Sequence, residues 1–271
     1  MMRTADRLLR KFLEFFPLNL GYRLIKGILP SSVVKAVNKA TLKNGYMPLV
    51  YAEKIEPKYE SAWKYLQSLG VELGDYLEFG VSLESSMACM HRVVSKLNLT
   101  NIRLFGFDSF QSMHENAAVE DRRPSKPGEF ANTVLETEKF LNTGGIAWNR
   151  TCLIEGKFDG TLNVNTTQKL RIIKGSIIRV DCSSYSAAKS ALNHSMPVIV
   201  DYTVIFFDDW NDDETFGTCK AYSEFLSEHK HLFSVEFGMY PPTGKIFVVK
   251  NTKISRRVMI GSKSAQERIT H

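Results

Sequence analysis

Cysteine is scarce. The 271 residues include four, Cys89, Cys152, Cys182 and Cys219, and no two stand in a CxxC spacing. That excludes a small disulfide scaffold and a thiolate zinc site, and it reads as reduced cytosolic thiols. Long apolar runs are missing as well. Nothing approaches the roughly 18 uninterrupted apolar residues that a membrane-spanning helix requires. The N-terminus is basic, but Glu14 and Pro17 interrupt any apolar core of signal-peptide type. No GxSxG elbow and no Ser-His-Asp order is present, which leaves a hydrolase without support. The stretch Gly80-Val81-Ser82-Leu83-Glu84-Ser85 is not a GxGxxG turn, which argues against a dinucleotide dehydrogenase. A basic stripe over the centre of the chain is also lacking. Residues 1–45 hold nine Lys/Arg against two Asp/Glu, and residues 250–271 hold six against one. Against a total of +6, that leaves the middle at −6. A domain acting on DNA or RNA would show the opposite pattern, so no nucleic-acid partner is expected.

What is present is an alternation of short apolar runs and helical patterns. Tyr76-Leu77-Glu78-Phe79-Gly80-Val81 reads as a strand ending in an acid and a glycine. A helical stretch follows, and then a second strand, Ile102 to Phe110, with Asp108 near its end. Strand, turn, helix, strand and acid make the nucleotide-binding half of a doubly wound sheet. Further strands are expected over Thr151–Gly156, Ser176–Asp181 and Tyr202–Trp210, with helices over 161–169, 184–192 and 217–229 between and after them. Leu232–Phe237 and Lys245–Lys250, joined by Pro241-Pro242-Thr243-Gly244, read as a hairpin. The fold class is therefore α/β, with a mostly parallel Rossmann-like sheet and a C-terminal antiparallel β-hairpin.

The flanks read differently. Residues 1–70 are expected to form a helical N-terminal extension that serves as a lid or an oligomerisation segment, giving a homo-oligomer. Leu8, Leu9, Phe12, Leu13 and Phe16 share one side of a basic amphipathic helix over 5–16, so residues 1–45 also suit contact with a membrane surface. A short second helix is expected from the Ser31-Ser32 cap through Lys39. A third runs over 57–69, with Pro57 in its first turn and Gly70 at its end. Residues 71–250 make the main domain. Within it, 111–149 is too long for a simple connection and suits a substrate cover. It includes the loop Arg122–Gly128, a helix over 130–141, and His114 as a candidate base. Residues 251–271 read as a basic tail.

Four strands end in carboxylates: Glu78, Asp108, Asp181 and the pair Asp208/Asp209, with Glu155 near the end of a fifth. The carboxyl ends of parallel strands share one edge, where ligands bind. Acids converging there repel one another unless cations or hydrogen-bond donors offset them.

The chain resembles the macrocin O-methyltransferase family of class I S-adenosylmethionine-dependent methyltransferases, whose sheets carry such a terminal hairpin. The resemblance rests on Leu77-Glu78-Phe79-Gly80-Val81, on Phe105-Gly106-Phe107-Asp108-Ser109-Phe110, and on the run Ile154 to Leu162. It continues with Val180-Asp181 followed by Tyr185, and with Phe207-Asp208-Asp209-Trp210, so it spans about 76–250 in order. It implies methylation of a hydroxyl on a sugar, a glycoside or another polyhydroxylated small molecule, in a cytoplasmic enzyme of natural-product biosynthesis. It places Glu78, Gly80 and Ser86 at the methionine end of the cofactor and Asp108 on the ribose hydroxyls. Ser109 and Gly156 fall near the adenosine. It implies Asp181, Asp208 and Asp209 as ligands of Mg²⁺, with Asp181 also a contact for the cofactor and the proton acceptor. Two positions depart from the family pattern. Ser183 stands where the family has an acid, and Glu84 stands where a second glycine is usual. These departures, with the basic N-terminus, support the alternative of a non-catalytic or membrane-surface relative that keeps the fold.

Overall fold

Apolar side chains that alternate along buried strands fix the centre of this molecule. In the strand β1 (Asp75–Phe79) every residue is buried, and the same holds in β4 (Gly175–Val180). Strands covered on both faces belong in the middle of a parallel sheet with helices on either side. The computed structural model describes residues 52–81, 86–110, 133–158, 162, 164–182, 184–208, 210, 212–241 and 243–253. The expected helices over 5–16 and 31–39, the loop Arg122–Gly128, and Glu84, His114, Ser183 and Asp209 lie outside the described residues.

In chain order the elements are α1 (Ala52–Ser68), β1, α2 (Ser86–Lys96), β2 (Leu104–Asp108), α3 (Val134–Thr143), β3 (Thr151–Glu155) and α4 (Val164–Lys169). They continue with β4, α5 (Tyr185–Ser195), a single 3₁₀ turn (Met196–Val198), β5 (Tyr202–Phe207), α6 (Gly217–Glu228), β6 (Leu232–Tyr240) and β7 (Gly244–Asn251). The seven strands form one sheet in the order β3-β2-β1-β4-β5-β7-β6. The first five are parallel. β7 inserts antiparallel between β5 and β6, so the expected hairpin closes the sheet. A register shift between Glu236 and Gly238 leaves Phe237 as an extra residue in β6, where its ring lies 5.1 Å from that of Tyr65 on α1. β7 runs on to a buried Asn251, into what the sequence suggested was tail.

The two faces carry separate cores. Tyr76, Ile177, Val204 and Phe206 pack with α1 and α2, whereas Leu77, Phe79, Ile178 and Phe207 pack with α5 and α6. α1 starts earlier than expected and holds Pro57 inside it. Its Ile55, Tyr59, Ala62, Trp63 and Leu66 are fully buried, at helical spacing, so this helix forms part of the core. Local caps fix two other helices. Thr133 and Glu136 form a capping box at α3, and the Ser184 hydroxyl accepts the Ala187 N–H at 3.2 Å to start α5. Among the described residues, no helix is long and apolar enough to cross a membrane.

Candidate active site

The carboxyl edge of the sheet is built by backbone hydrogen bonds that continue the ladder past the strand ends. Gly80 N–H donates to Phe107 O at 2.8 Å, Asp181 N–H to Phe79 O at 2.8 Å and Gly156 N–H to Asp108 O at 2.9 Å. These bonds draw Gly80, Asp108, Gly156 and Asp181 into one row. Gly80 has φ +94°, a conformation that favours glycine, and its turn leads toward α2. At the next strand end, Asp108 accepts the Phe110 N–H at 2.7 Å and also the N–H groups of Val81 and Ser109. One carboxylate thus ties the turn after β1 to the turn after β2. Burial pushes Asp108 up to about 6, against the pull of those three donors. A half-buried carboxylate with that history gains from further donors, such as a vicinal diol.

Beneath this row lies a charged network that the sequence reading missed. Arg179, on β4, has no exposed surface. It stands in register with Glu78 on β1 and Phe206 on β5, pointing to the face that carries α1. Its Nη2 lies 2.9 Å from Asp181 Oδ2 and 2.9 Å from Asp208 Oδ1, and its Nε lies 3.7 Å from Glu78 Oε1. Nη1 donates to the hydroxyls of Tyr59 at 3.3 Å and Tyr240 at 3.4 Å. Tyr240 in turn donates to Asp208 Oδ1 at 3.0 Å. Glu78 accepts from the Tyr76 hydroxyl at 2.8 Å and from the Ser86 hydroxyl. Burial raises the Glu78 carboxyl above the usual carboxylate range, although Arg179, Ser86 and Tyr76 all oppose that shift.

The arrangement answers how so many acids share an edge: a buried guanidinium and three tyrosines compensate them. One sign was available. Arg179 is the lone charge in the strand Gly175-Ser176-Ile177-Ile178-Arg179-Val180, where a buried arginine requires partners. The tyrosines carried no such signal, because a tyrosine in a helix or a strand reads as ordinary core.

The expected magnesium site looks different in this light. Asp181 and Asp208 are both engaged by Arg179, and Asp209 lies outside the described residues. Among the described residues no group of three or more His, Cys, Asp or Glu is placed to hold a metal ion. The described residues therefore do not fit a divalent ion bridging Asp181 and Asp208, whose carboxylates already share Arg179 Nη2. Ser109 and Gly156 are half-buried at the edge, Ser86 is buried at the start of α2, and Glu78 has no exposed surface.

No protein-family model and no curated protein sequence matches the chain. Solved structures do. The O-methyltransferase NovP superposes with a TM-score of 0.58 at 17% identity, over 71% of this chain and 78% of that one. The calicheamicin methyltransferase CalS11 gives 0.55 at 15% identity, over 70% and 77%. An apo structure of CalS11, described as a TDP-rhamnose 3′-O-methyltransferase, gives 0.50 at 18% identity. At such identities the likeness concerns the fold, and the strand order agrees with it: this chain has the Rossmann-like class I methyltransferase fold.

Proposed function

We propose that the protein is an S-adenosylmethionine-dependent O-methyltransferase acting on a hydroxyl of a sugar or another polyhydroxylated small molecule. One observation carries the reading: Asp108, at the end of β2, faces the Gly80 turn and is held by backbone N–H groups from both turns. That is where an open α/β sheet binds a ribose. The likeness to NovP and CalS11, sugar-modifying in the second case, supports the acceptor class.

S-adenosylmethionine supplies a methyl group on a sulfonium, which an acceptor oxygen can attack as the carbon–sulfur bond breaks. The chain's residues supply the rest. Asp108 accepts the ribose hydroxyls, and Gly80 and Ser86 line the methionine end. Gly156 and Ser109 flank the adenosine. Asp181 holds the acceptor hydroxyl and takes its proton. Of the three carboxylates on Arg179 it is the most open, with 13% side-chain exposure against 6% for Asp208 and 1% for Glu78. Asp181 accepts that proton as the methyl group is transferred. Magnesium has no part in this reading, because Arg179 already bridges Asp181 and Asp208.

Calorimetry with S-adenosylmethionine and S-adenosylhomocysteine tests the reading. Binding of both is expected, and binding of neither would remove it. A labelled-methyl assay over nucleotide sugars and glycosides then tests the acceptor class, with transfer to a hydroxyl as the expected result.

A further inference from the structure

Arg179 is not needed to explain cofactor contacts, yet five elements converge on it. Tyr59 comes from α1, Glu78 from β1, Asp181 from the end of its own strand, Asp208 from the end of β5 and Tyr240 from β6. A guanidinium with no exposed surface is retained only where charges and acceptors meet it on several sides. Nη2 meets both aspartates while Nη1 and Nε reach the two tyrosines and Glu78, a spread that the single nitrogen of a lysine cannot cover. Asp208 Oδ1 is held doubly, by Nη2 at 2.9 Å and by the Tyr240 hydroxyl at 3.0 Å.

We propose that Arg179 is a positioning residue that acts as the site's internal cation, in the place where a divalent ion would otherwise bridge Asp181 and Asp208. It fixes Asp181 relative to the cofactor edge and couples that edge to α1 through Tyr59. The consequence for cofactor affinity rests on the methyltransferase reading; the cation claim stands apart from it.

The test uses the full chain as wild type, Arg179→Met, Arg179→Lys and Asp208→Asn. Mn²⁺ is titrated and followed by electron paramagnetic resonance, and S-adenosylhomocysteine is titrated by calorimetry with and without EDTA. Wild type is expected to leave Mn²⁺ free and to bind S-adenosylhomocysteine equally well in EDTA. Arg179→Met strips the carboxylates of their partner, so it gains Mn²⁺ binding and loses roughly tenfold or more in S-adenosylhomocysteine affinity. Arg179→Lys restores part of that affinity and takes up no Mn²⁺. Stoichiometric Mn²⁺ binding by wild type that Asp208→Asn abolishes would overturn the proposal. If Arg179→Met does not fold, judged by circular dichroism, Arg179→Lys decides: unchanged cofactor affinity there overturns the positioning role. Wild type that binds no S-adenosylhomocysteine counts against the methyltransferase reading alone, and the Mn²⁺ measurements still decide the cation claim.

Discussion

Gly80 and Asp181 meet backbone to backbone: a Cβ built on Gly80 would stand 2.1 Å from the Asp181 carbonyl oxygen. Since Gly80 also has φ +94°, both space and conformation demand glycine there. Gly80→Ala is expected to cost about 3 kcal/mol or more in chemical denaturation and to weaken S-adenosylhomocysteine binding. Gly74 is the control. It packs as closely on the Lys174 carbonyl oxygen, at 2.3 Å, but at the opposite end of β1. Gly74→Ala should destabilise the fold yet spare the cofactor affinity of the folded protein. Equal loss of affinity in both variants would mean that the Gly80 turn has no special place in the site.

Asp108 carries a stability cost. Its carboxyl is raised from 3.8 to about 6, so between those values the folded state binds more protons than the unfolded state. Stability therefore falls as pH rises through that window, and the cost is complete above about 6. It amounts to at most about 3 kcal/mol. Asp108→Asn is expected to stabilise the free protein near neutral pH and to weaken S-adenosylhomocysteine binding about tenfold or more. If Asp108 holds the ribose as proposed, wild-type affinity should drop as pH falls below about 6, where its carboxylate protonates. Calorimetry from acid to neutral pH measures this, and tighter binding on acidification would contradict it.

His194 works in the opposite sense. It is buried edge-on to Phe79 and Phe107, and burial lowers it from 6.5 to about 4. In this window the unfolded state binds more protons, so stability is lost as pH falls from about 6.5 to about 4. Asp108 offsets part of that loss in wild type. Thermal melts of Asp108→Asn should therefore fall more steeply than wild type across the same window. Parallel curves would show that the two groups do not oppose one another.

The sheet was legible in the sequence because its strands are short, apolar and regularly spaced, and because the Pro-Pro-Thr-Gly turn marks the hairpin. Asp108, Asp181 and Asp208 were legible for the same reason: each follows a buried apolar run. Arg179 was harder. Its charge sits inside an apolar strand, and only the register that sets it beside Glu78 reveals its partners. Tyr59 is 120 residues from Arg179 in the chain, and no local pattern connects them. α1 read as an appendage because it precedes the first strand, whereas its buried face belongs to the main core.

Tyr76 lies two residues before Glu78 on β1, so both side chains leave the same face, and the tyrosine hydroxyl reaches Glu78 Oε2 at 2.8 Å. Tyr76→Phe is expected to cost about 1–3 kcal/mol, since a buried acceptor loses a donor while the ring is retained. Ser86→Ala removes the other hydroxyl donor to the same carboxylate. Because the two act on one group, the double variant should differ from the sum of the single ones by more than about 0.5 kcal/mol. Strict additivity in denaturant unfolding would place Tyr76 and Ser86 in independent environments.

The role of α1 can be decided at one residue. Trp63 has no exposed surface, and its Nε1 points at the Met90 sulfur of α2 at 3.1 Å. A helix that merely covers a finished domain would tolerate truncation there with local fraying. A helix that completes the core would not, because the cavity opens between α1, α2 and the sheet. Trp63→Ala is expected to cost about 3–5 kcal/mol in a single cooperative transition. It should also lower apparent cofactor affinity, since Tyr59, one turn earlier, accepts a hydrogen bond from Arg179 at 3.3 Å. A separate early transition confined to α1, seen by hydrogen exchange, would show instead that the sheet folds without it.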